Sequence, residues 1–309
     1  MNIIYNGTDI TSSVQPTVLQ ITDNAGGKPD SVTAVFSNTE GLWSKWKPSK
    51  NDTLRIKQDG FDTGTMYIDE LTQGAGVFGL KALSIPQIAK TARSQGWENV
   101  RFLEIATRIA ARYRFGLQTY NVVNHLYSRV DQIEEPDFAF LAYRSMLEGY
   151  ALKINNGNLV IYDEATEEQK APDAVNGKIF LRDLHGAFEF KDKSTDIYAK
   201  CIVRSQMSSG YIQGEYSASG IYGPTMKRNL YMTNQAEANR WARGLLRSTN
   251  KYMITGTFGI DLNPNLAAGT SVNVSEVGMF DGKFFIDRLI HDLIHNRTQL
   301  TIRKPLEGY

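Results

Sequence analysis

Three carboxylates stand almost side by side in the chain, Glu134, Glu135 and Asp137, and paired acids cleave glycosidic bonds when they face each other across a cleft. These three instead precede a run with helical spacing, where acids favour the positive end of the helix dipole, so a capping role is expected. His291 and His295 have the four-residue spacing that sets two imidazoles on one helix face to hold zinc, but Asp292 stands where the zinc-protease motif needs its Glu base. Their flank, 285–290, reads as a strand, which would hold the two rings apart, and no zinc pair is expected. His125 and His185 have no supporting ligands nearby. Cys201 is the single cysteine, which excludes an intramolecular disulfide; its place in the strand-like run 198–203 predicts a buried, inert thiol. Arg240, Arg243 and Arg247 share one face of a predicted helix and read as a solvated face. No phosphate-cradling Gly-Lys loop, dinucleotide fingerprint or nucleophile elbow occurs, and the glycines of 210–223 lack a strand-to-helix setting. Catalytic, cofactor-binding and metal-ligating residues are therefore not assigned, no cofactor is expected, and the chain is read as a non-enzyme.

The elements that would position these groups are largely β. Val32, Ala34 and Phe36 alternate with polar residues, as do Leu54 and Ile56, and then Met66 and Ile68; period-two alternation marks half-buried strands. Gly26-Gly27 and Asp59-Gly60 supply turns. Leu42, Trp43 and Trp46 form a short segment ended by Pro48, read as a plug over a barrel mouth. The middle changes character. Phe102, Leu103, Ala106, Ile109, Ala110 and Tyr113 form an apolar stripe at helical spacing, stopped at Gly116. A second helix is predicted from Pro136-Asp137 to Gly149. A hairpin follows, with 150–154 and 159–161 flanking Asn155-Asn156-Gly157-Asn158.

A polar stretch, 164–176, is read as a spacer. Strands are expected near 179–181, 187–190 and 196–203. The segment 205–231, rich in Gly, Ser and Tyr, is expected to be a long loop, and loops of that length are usually functional. Its Tyr211, Tyr216 and Tyr222, with Trp43 and Trp46, are the candidate contacts for a subunit or partner. A helix near 234–247 opens with Asn234 and Glu237 at capping-box spacing. Strands at 252–262, 271–274, 284–290 and 299–303 close the chain.

Composition bounds the classes. At 309 residues two or three units are expected, and 41% hydrophobic with 22% charged residues is ordinary for a globular protein. A net charge of +1, from 34 basic and 33 acidic side chains, argues against a sequence-specific nucleic-acid platform. The run Met1–Gly7 lacks a basic segment, so no cleaved leader is expected; nor is a membrane anchor, since no apolar stretch nears the ~20 residues a spanning helix needs.

One internal likeness organises the rest. Phe61-Asp62-Thr63-Gly64-Thr65-Met66-Tyr67-Ile68-Asp69-Glu70-Leu71 resembles Phe280-Asp281-Gly282-Lys283-Phe284-Phe285-Ile286-Asp287-Arg288-Leu289, with one residue skipped. Each copy follows a short alternating strand, 53–57 or 271–274. The repeat predicts two similar β units in one chain, separated by an α/β insert.

Several stretches, in this order, resemble a known family: 30–36 with 51–56; Gln132-Ile133-Glu134-Glu135-Pro136-Asp137-Phe138 with Glu148-Gly149-Tyr150 and 157–162; then Ala238, Ala242 and Leu245 ahead of 263–274, Asp281–Ile286 and His291. The whole chain is similar to baseplate hub proteins of contractile phage tails and phage-tail-like bacteriocins, the late control D family. Ala268-Gly269 and Asn51-Asp52 depart from the Gly-Asp-like step expected before a strand. The resemblance implies an α+β, β-dominated fold: a tail-tube-like β-barrel over 1–90, an inserted α/β domain over 91–170, and a second tube-like barrel over 171–309. It also implies a homotrimer that joins a six-fold tail tube, or its initiator, to a three-fold central spike. Baseplate wedge proteins would be further partners, within a virion or tail-like particle assembled in the bacterial cytoplasm. A cell-wall-degrading tail enzyme and a carbohydrate-binding tail module are the alternatives.

Overall fold

A computed structural model describes residues 1–58, 60–207 and 210–309. The first β unit runs β1 (Asn2–Tyr5), β2 (Thr8–Asp9), β3 (Pro16–Asn24) and β4 (Ser31–Ser37). After α1 (Leu42–Trp46) come β5 (Thr53–Gln58), β6 (Phe61–Asp62), β7 (Met66–Gly74) and β8 (Val77–Leu83). The alternation in the sequence becomes one buried face: Val32, Ala34, Phe36, Leu54 and Ile56 are fully buried, with polar neighbours outward. Asp59 of the expected Asp59-Gly60 turn lies outside the described residues; Gly60 itself has φ 81°.

The middle comprises β9 (Ala92–Arg101), α2 (Phe102–Arg112), β10 (Gly116–Tyr120), β11 (Leu126–Pro136), α3 (Asp137–Leu147), β12 (Tyr150–Asn155), β13 (Asn158–Asp163) and α4 (Glu164–Gln169). The apolar stripe of α2 is buried as its spacing requires, with Phe102, Ile105, Ala106, Ile109 and Ala110 inside. In the hairpin, Asn155 pairs with Asn158, and both central residues have positive φ, Asn156 at 46° and Gly157 at 70°. Such a turn matches the twist of its strands, which is why Asn-Gly specifies it. The expected spacer at 164–176 opens instead with α4, whose Glu164 and Glu168 are buried. The N-cap Asp163, accepting the Thr166 N–H at 2.6 Å, starts that helix.

The last part contains β14 (Lys178–Phe180), β15 (His185–Asp192), β16 (Lys200–Met207), β17 (Gly210–Ser217), β18 (Thr225–Asn229), α5 (Gln235–Asn250), β19 (Ile254–Asp261), β20 (Ser271–Ser275), β21 (Gly282–Asp292) and β22 (Arg297–Arg303). The expected long loop at 205–231 is mostly strand. β17 pairs antiparallel and β18 parallel with β16, giving a separate three-stranded sheet. Its composition hid this, because β17 exposes much of its length and its alternation is weak. α5 starts as the capping spacing predicts: the Asn234 side chain accepts the Glu237 N–H at 2.9 Å, while Glu237 reaches back to the Thr233 N–H at 2.8 Å.

The result is an α+β, β-dominated fold with four sheets among the described residues, one of them 14-stranded in the order β15-β19-β22-β21-β3-β4-β8-β7-β5-β1-β2, with β6, β14 and β20 branching from it. Three apolar cores lie among the described residues. One has its buried members within 3–82, with Leu293 and Ile294 packed on it, and one gathers 258–302 with Ala25, Tyr162 and Ile179. The third joins 89–161 to Cys201, Val203, Met226 and α5, so 200–246 packs with the middle of the chain.

The repeat seen in the sequence reappears as hydrogen-bond register. Leu54 opposes Met66 as Val272 opposes Phe284, and Tyr67 opposes Leu83 as Phe285 opposes Arg303. A β-bulge interrupts β7 between Ile68 and Glu70 and interrupts β21 between Ile286 and Arg288. Beyond it, Leu71 opposes Leu80 as Leu289 opposes Leu300. On the next strand, Ser31 opposes Leu83 as Thr255 opposes Arg303. An extra residue at one place re-aims everything after it, so two bulges in the same place signify one design used twice. The two units join where Arg288–Asp292 of β21 pair antiparallel with Gln20–Asn24 of β3.

Candidate assembly interface

The groups that could carry chemistry are dispersed, and most are tied up inside the molecule. Asp137 is no helix cap: Pro136 holds the cap position, and the fully buried Asp137 carboxylate accepts from Arg112 at 2.5 Å, Tyr113 at 2.7 Å and Gln132 at 2.9 Å. Burial acts to raise its pKa, but these donors win and hold it below the ordinary carboxylate range. Glu134, at φ 46°, and Glu135 sit in the irregular end of β11 and do not face Asp137 across a cleft. His291 is buried in β21 with Nδ1 3.0 Å from the Thr298 hydroxyl, and burial lowers its pKa; His295 is exposed in the next turn, 3.0 Å from Asp292. His185 meets Asp261 at 3.1 Å, and His125 lies 3.7 Å from Glu148. Cys201 is buried, and desolvation pushes its thiol up to about 11, which leaves it unreactive. Among the described residues no three His, Cys, Asp or Glu are placed to hold a metal ion, and no helix is long and apolar enough to cross a membrane.

Along the arginine face of α5 Arg243 is exposed as expected, whereas Arg240 is half-buried and Arg247 buried. Arg247 is 3% exposed and bridges to Glu168 at 2.7 Å and Glu164 at 3.7 Å. Arg303, fully buried on β22, contacts the same two acids and reaches Asp287 at 3.4 Å, while Lys251 meets Glu164 at 2.8 Å. Burial would raise the Glu164 carboxyl, but Lys251, Arg303 and Arg247 hold it down at about 2. Arg240 meets Glu148 at 2.7 Å, and the same carboxylate accepts from Tyr127 at 2.8 Å and the Trp241 indole at 2.9 Å. A third buried link joins Lys153 of β12 to Asp23 of β3, with Asp23 also accepting the Ala268 N–H at 2.9 Å. Buried ion pairs of this kind constrain how elements meet. Glu148 entered the sequence reading only as part of a family resemblance, Glu164, Glu168, Asp23 and Arg303 were not singled out, and their types alone hold no signal of burial.

The aromatic candidates separate into inside and outside. Trp43 is 1% exposed, stacked on Phe78 at 5.0 Å and edge-on to Tyr5 at 5.8 Å, so it fills the first core. Trp46 is half-buried and lies parallel to Tyr5 at 6.5 Å. Tyr216 is half-buried on β17, donating to the Gly308 carbonyl at 3.2 Å. Tyr211 on β17 is 65% exposed and Tyr222, between β17 and β18, is 96% exposed. The structure does not bring these five into one patch: the tryptophans belong to the first β unit and the tyrosines to the β16–β18 sheet.

The largest free features are strand edges. β15 pairs only with β19, and the half of β7 beyond its bulge pairs only with β8 among the described residues. Unpaired rows of backbone N–H and C=O are ready templates for another strand. What the arrangement can do is bind other chains in fixed register.

No family model matches the chain, and no curated protein does. Solved structures do match over nearly full length. The 43 kDa tail protein of prophage MuSo2 from Shewanella oneidensis aligns at 14% identity with a TM-score of 0.74, covering 98% of this chain and 97% of that one. A tail protein from Neisseria meningitidis gives the same identity and TM-score, covering 98% and 95%. The E. coli c3393 protein, a type VI secretion component similar in structure to the T4 tail proteins gp27 and gp5, aligns at 10% identity and TM-score 0.67, covering 100% of this chain and 78% of its own. This chain has the fold of phage tail proteins.

Proposed function

We propose that this chain is a structural hub subunit of a contractile injection machine, a homotrimer that adapts a six-fold tail tube to a three-fold central spike. The observation that carries the reading is the repeated register: one polypeptide holds two β units with the same strand pairing and the same bulge. Three such chains present six equivalent units around an axis, while remaining three-fold to a spike. In this reading 1–90 and the sheet closed by 254–303 act as tube-like barrels, and the middle, with 200–246 packed on it, elaborates the ring. The fold shared with prophage tail proteins and a type VI secretion component supports a tail role. Tail tube or tube-initiator, spike and wedge proteins are the partners proposed, the particle baseplate the location, and Trp46, Tyr211, Tyr216 and Tyr222 contact residues. Trp43 would act through the core beneath Trp46.

The role is mechanical and needs no turnover; Asp137, Glu148, Glu164 and Glu168 are held in ion pairs. Sedimentation of the purified chain, alone and with its spike protein, tests the reading. A stable trimer is expected in at least the second case, and monomers in both would overturn it. The exposure of Tyr211 and Tyr222 favours one second reading, a carbohydrate-binding tail module, which glycan-array binding lost in a Tyr211→Ala, Tyr222→Ala double variant would support.

A further inference from the structure

The contact between the two β units defines a rule that the chain satisfies once and leaves open once. Within the chain, the half of β21 beyond its bulge pairs with β3: Leu289 opposes Asp23, Ile290 opposes Thr22 and His291 opposes Ile21. The Ala25 N–H donates to the Asp287 carbonyl and the Leu293 N–H to the Leu19 carbonyl, both at 2.9–3.0 Å, so odd-numbered residues of β21 turn their backbone polar groups toward β3.

The shared register converts each residue of this contact to its counterpart. β7 stands for β21, with Leu71 at the place of Leu289 and Gln73 at that of His291. β15 stands for β3: Thr22 opposes Ser31 as Lys191 opposes Thr255, and Gln20 opposes Thr33 as Glu189 opposes Thr257. Both counterparts are free edges. Glu70, Thr72 and Gln73 are exposed, as are Phe188, Glu189, Lys191 and Asp192, whereas Leu289, His291, Ile21 and Asp23 in the closed contact are buried.

We propose that Glu70–Gly74 of one copy pairs antiparallel with Glu189–Lys193 of a second copy, with Leu71 opposite Asp192 and Gln73 opposite Phe190. The residue types agree with this register independently of the backbone. Leu71 with Asp192 repeats the Leu289–Asp23 pair. Gln73 with Phe190 repeats the polar-against-apolar pair of His291 and Ile21. Glu70 would face Lys193, a pair of opposite charge. A contact between two different edges is head-to-tail and propagates until it closes, and three copies of this chain would then alternate internal and intersubunit junctions of one kind. This rests on the trimeric hub reading and gives it a register.

Disulfide trapping of the purified chain tests it. Thr72 and Lys191 correspond to Ile290 and Thr22, a pair without mutual backbone hydrogen bonds, where Cα atoms sit about 4.5 Å apart and a disulfide fits. A Thr72→Cys, Lys191→Cys variant should run after mild oxidation mostly as a covalent trimer on a non-reducing gel. A Thr72→Cys, Glu189→Cys variant, two residues out of register, should give less than about a tenth of that yield, since diagonal neighbours lie farther apart. A wild-type trimer by sedimentation with neither pair cross-linking overturns the strand pairing and leaves the hub intact, that edge then belonging to another tail protein. Wild-type monomers both alone and with the spike protein overturn both. A covalent ladder running past three keeps the pairing and overturns the three-fold closure.

Discussion

The two β units share strand pairing and a bulge, yet differ in what stands at matching positions. Leu83 on β8 corresponds to Arg303 on β22: the first is a half-buried aliphatic side chain on the face opposite Phe78, Leu80 and Ala82, the second a fully buried cation holding Glu164, Glu168 and Asp287. The bulge residues differ likewise, Asp69 binding the exposed Lys90 and Asp287 joining the Arg303 cluster. Between the matching strands β4 and β5 the first unit inserts α1, with Trp43 in its core. Between β19 and β20 the second inserts a loop that buries Leu266 and Ala268. A strand-pairing scheme is set by backbone, so it tolerates such exchanges; the side chains then bind each unit to its own surroundings. The first unit is left nearly self-contained, and the second is bolted to α4 and α5.

The largest test of this contrast is at the bolt. Arg303→Leu gives the second unit the first unit's residue but leaves Glu164, Glu168 and Asp287 with only Arg247 and Lys251 to neutralise them, and should cost about 3 kcal/mol in urea unfolding. Adding Glu168→Gln, which restores two cations (Arg247, Lys251) to two acids (Glu164, Asp287), should recover part of that loss if the charges, and not the arginine's packing, are responsible. The same cluster sets an acid limit. Glu164 has a folded pKa of about 2 against an ordinary 4.5, so its stabilisation is complete above 4.5 and disappears as pH falls toward 2.

A smaller effect separates the matching glycines Gly64 and Gly282, both at positive φ, 65° and 128°. A Cβ at Gly64 would lie within 2.7 Å of Asn156, including its Cα, whereas at Gly282 nothing stands within 4 Å. Gly282→Ala should cost about 1–2 kcal/mol from backbone strain alone, and Gly64→Ala measurably more by the same unfolding assay. Equal losses would mean that the hairpin tip at Asn156 yields freely.

A separate pH test concerns Asp30, which accepts the Asn24 N–H at 2.8 Å beside Asp23. Burial and the Asp23 carboxylate push it up to about 8, with Lys153 partly opposing them. Because the folded state keeps this proton longer than the unfolded chain, stability drains as pH rises from 3.8 to 8. The melting point of Asp30→Asn should therefore gain on that of the wild type across this window, and parallel curves would count against a protonated Asp30.

Much of the fold was legible where the information is local. The stripe of α2, the Asn234–Glu237 start of α5 and the Asn156-Gly157 turn each depend on residues within a few positions, and each stands as read. The ribbon of β9 and β11 was not, since both strands are exposed over much of their length and alternate weakly. The strands at 205–231 were missed for the same reason. Of the candidate contacts, Tyr211 and Tyr222 are surface residues, but Trp43 is core, since an aromatic side chain suits either place.

The sequence by itself determined the β-rich class, the positions of α2, α3 and α5, the Asn156-Gly157 turn and the existence of a repeat, because periodicity and backbone preference are written into neighbouring residues. Tertiary structure alone decided which acids are buried, which arginines neutralise them and which strand edges are closed. Glu168 meets Arg303 135 residues away, and the Gln20 amide on β3 donates to Asp292 on β21 272 residues away. No local preference distinguishes a Glu destined for solvent from one destined for such a partner, because the cost of burying its charge is met only when the distant cation arrives.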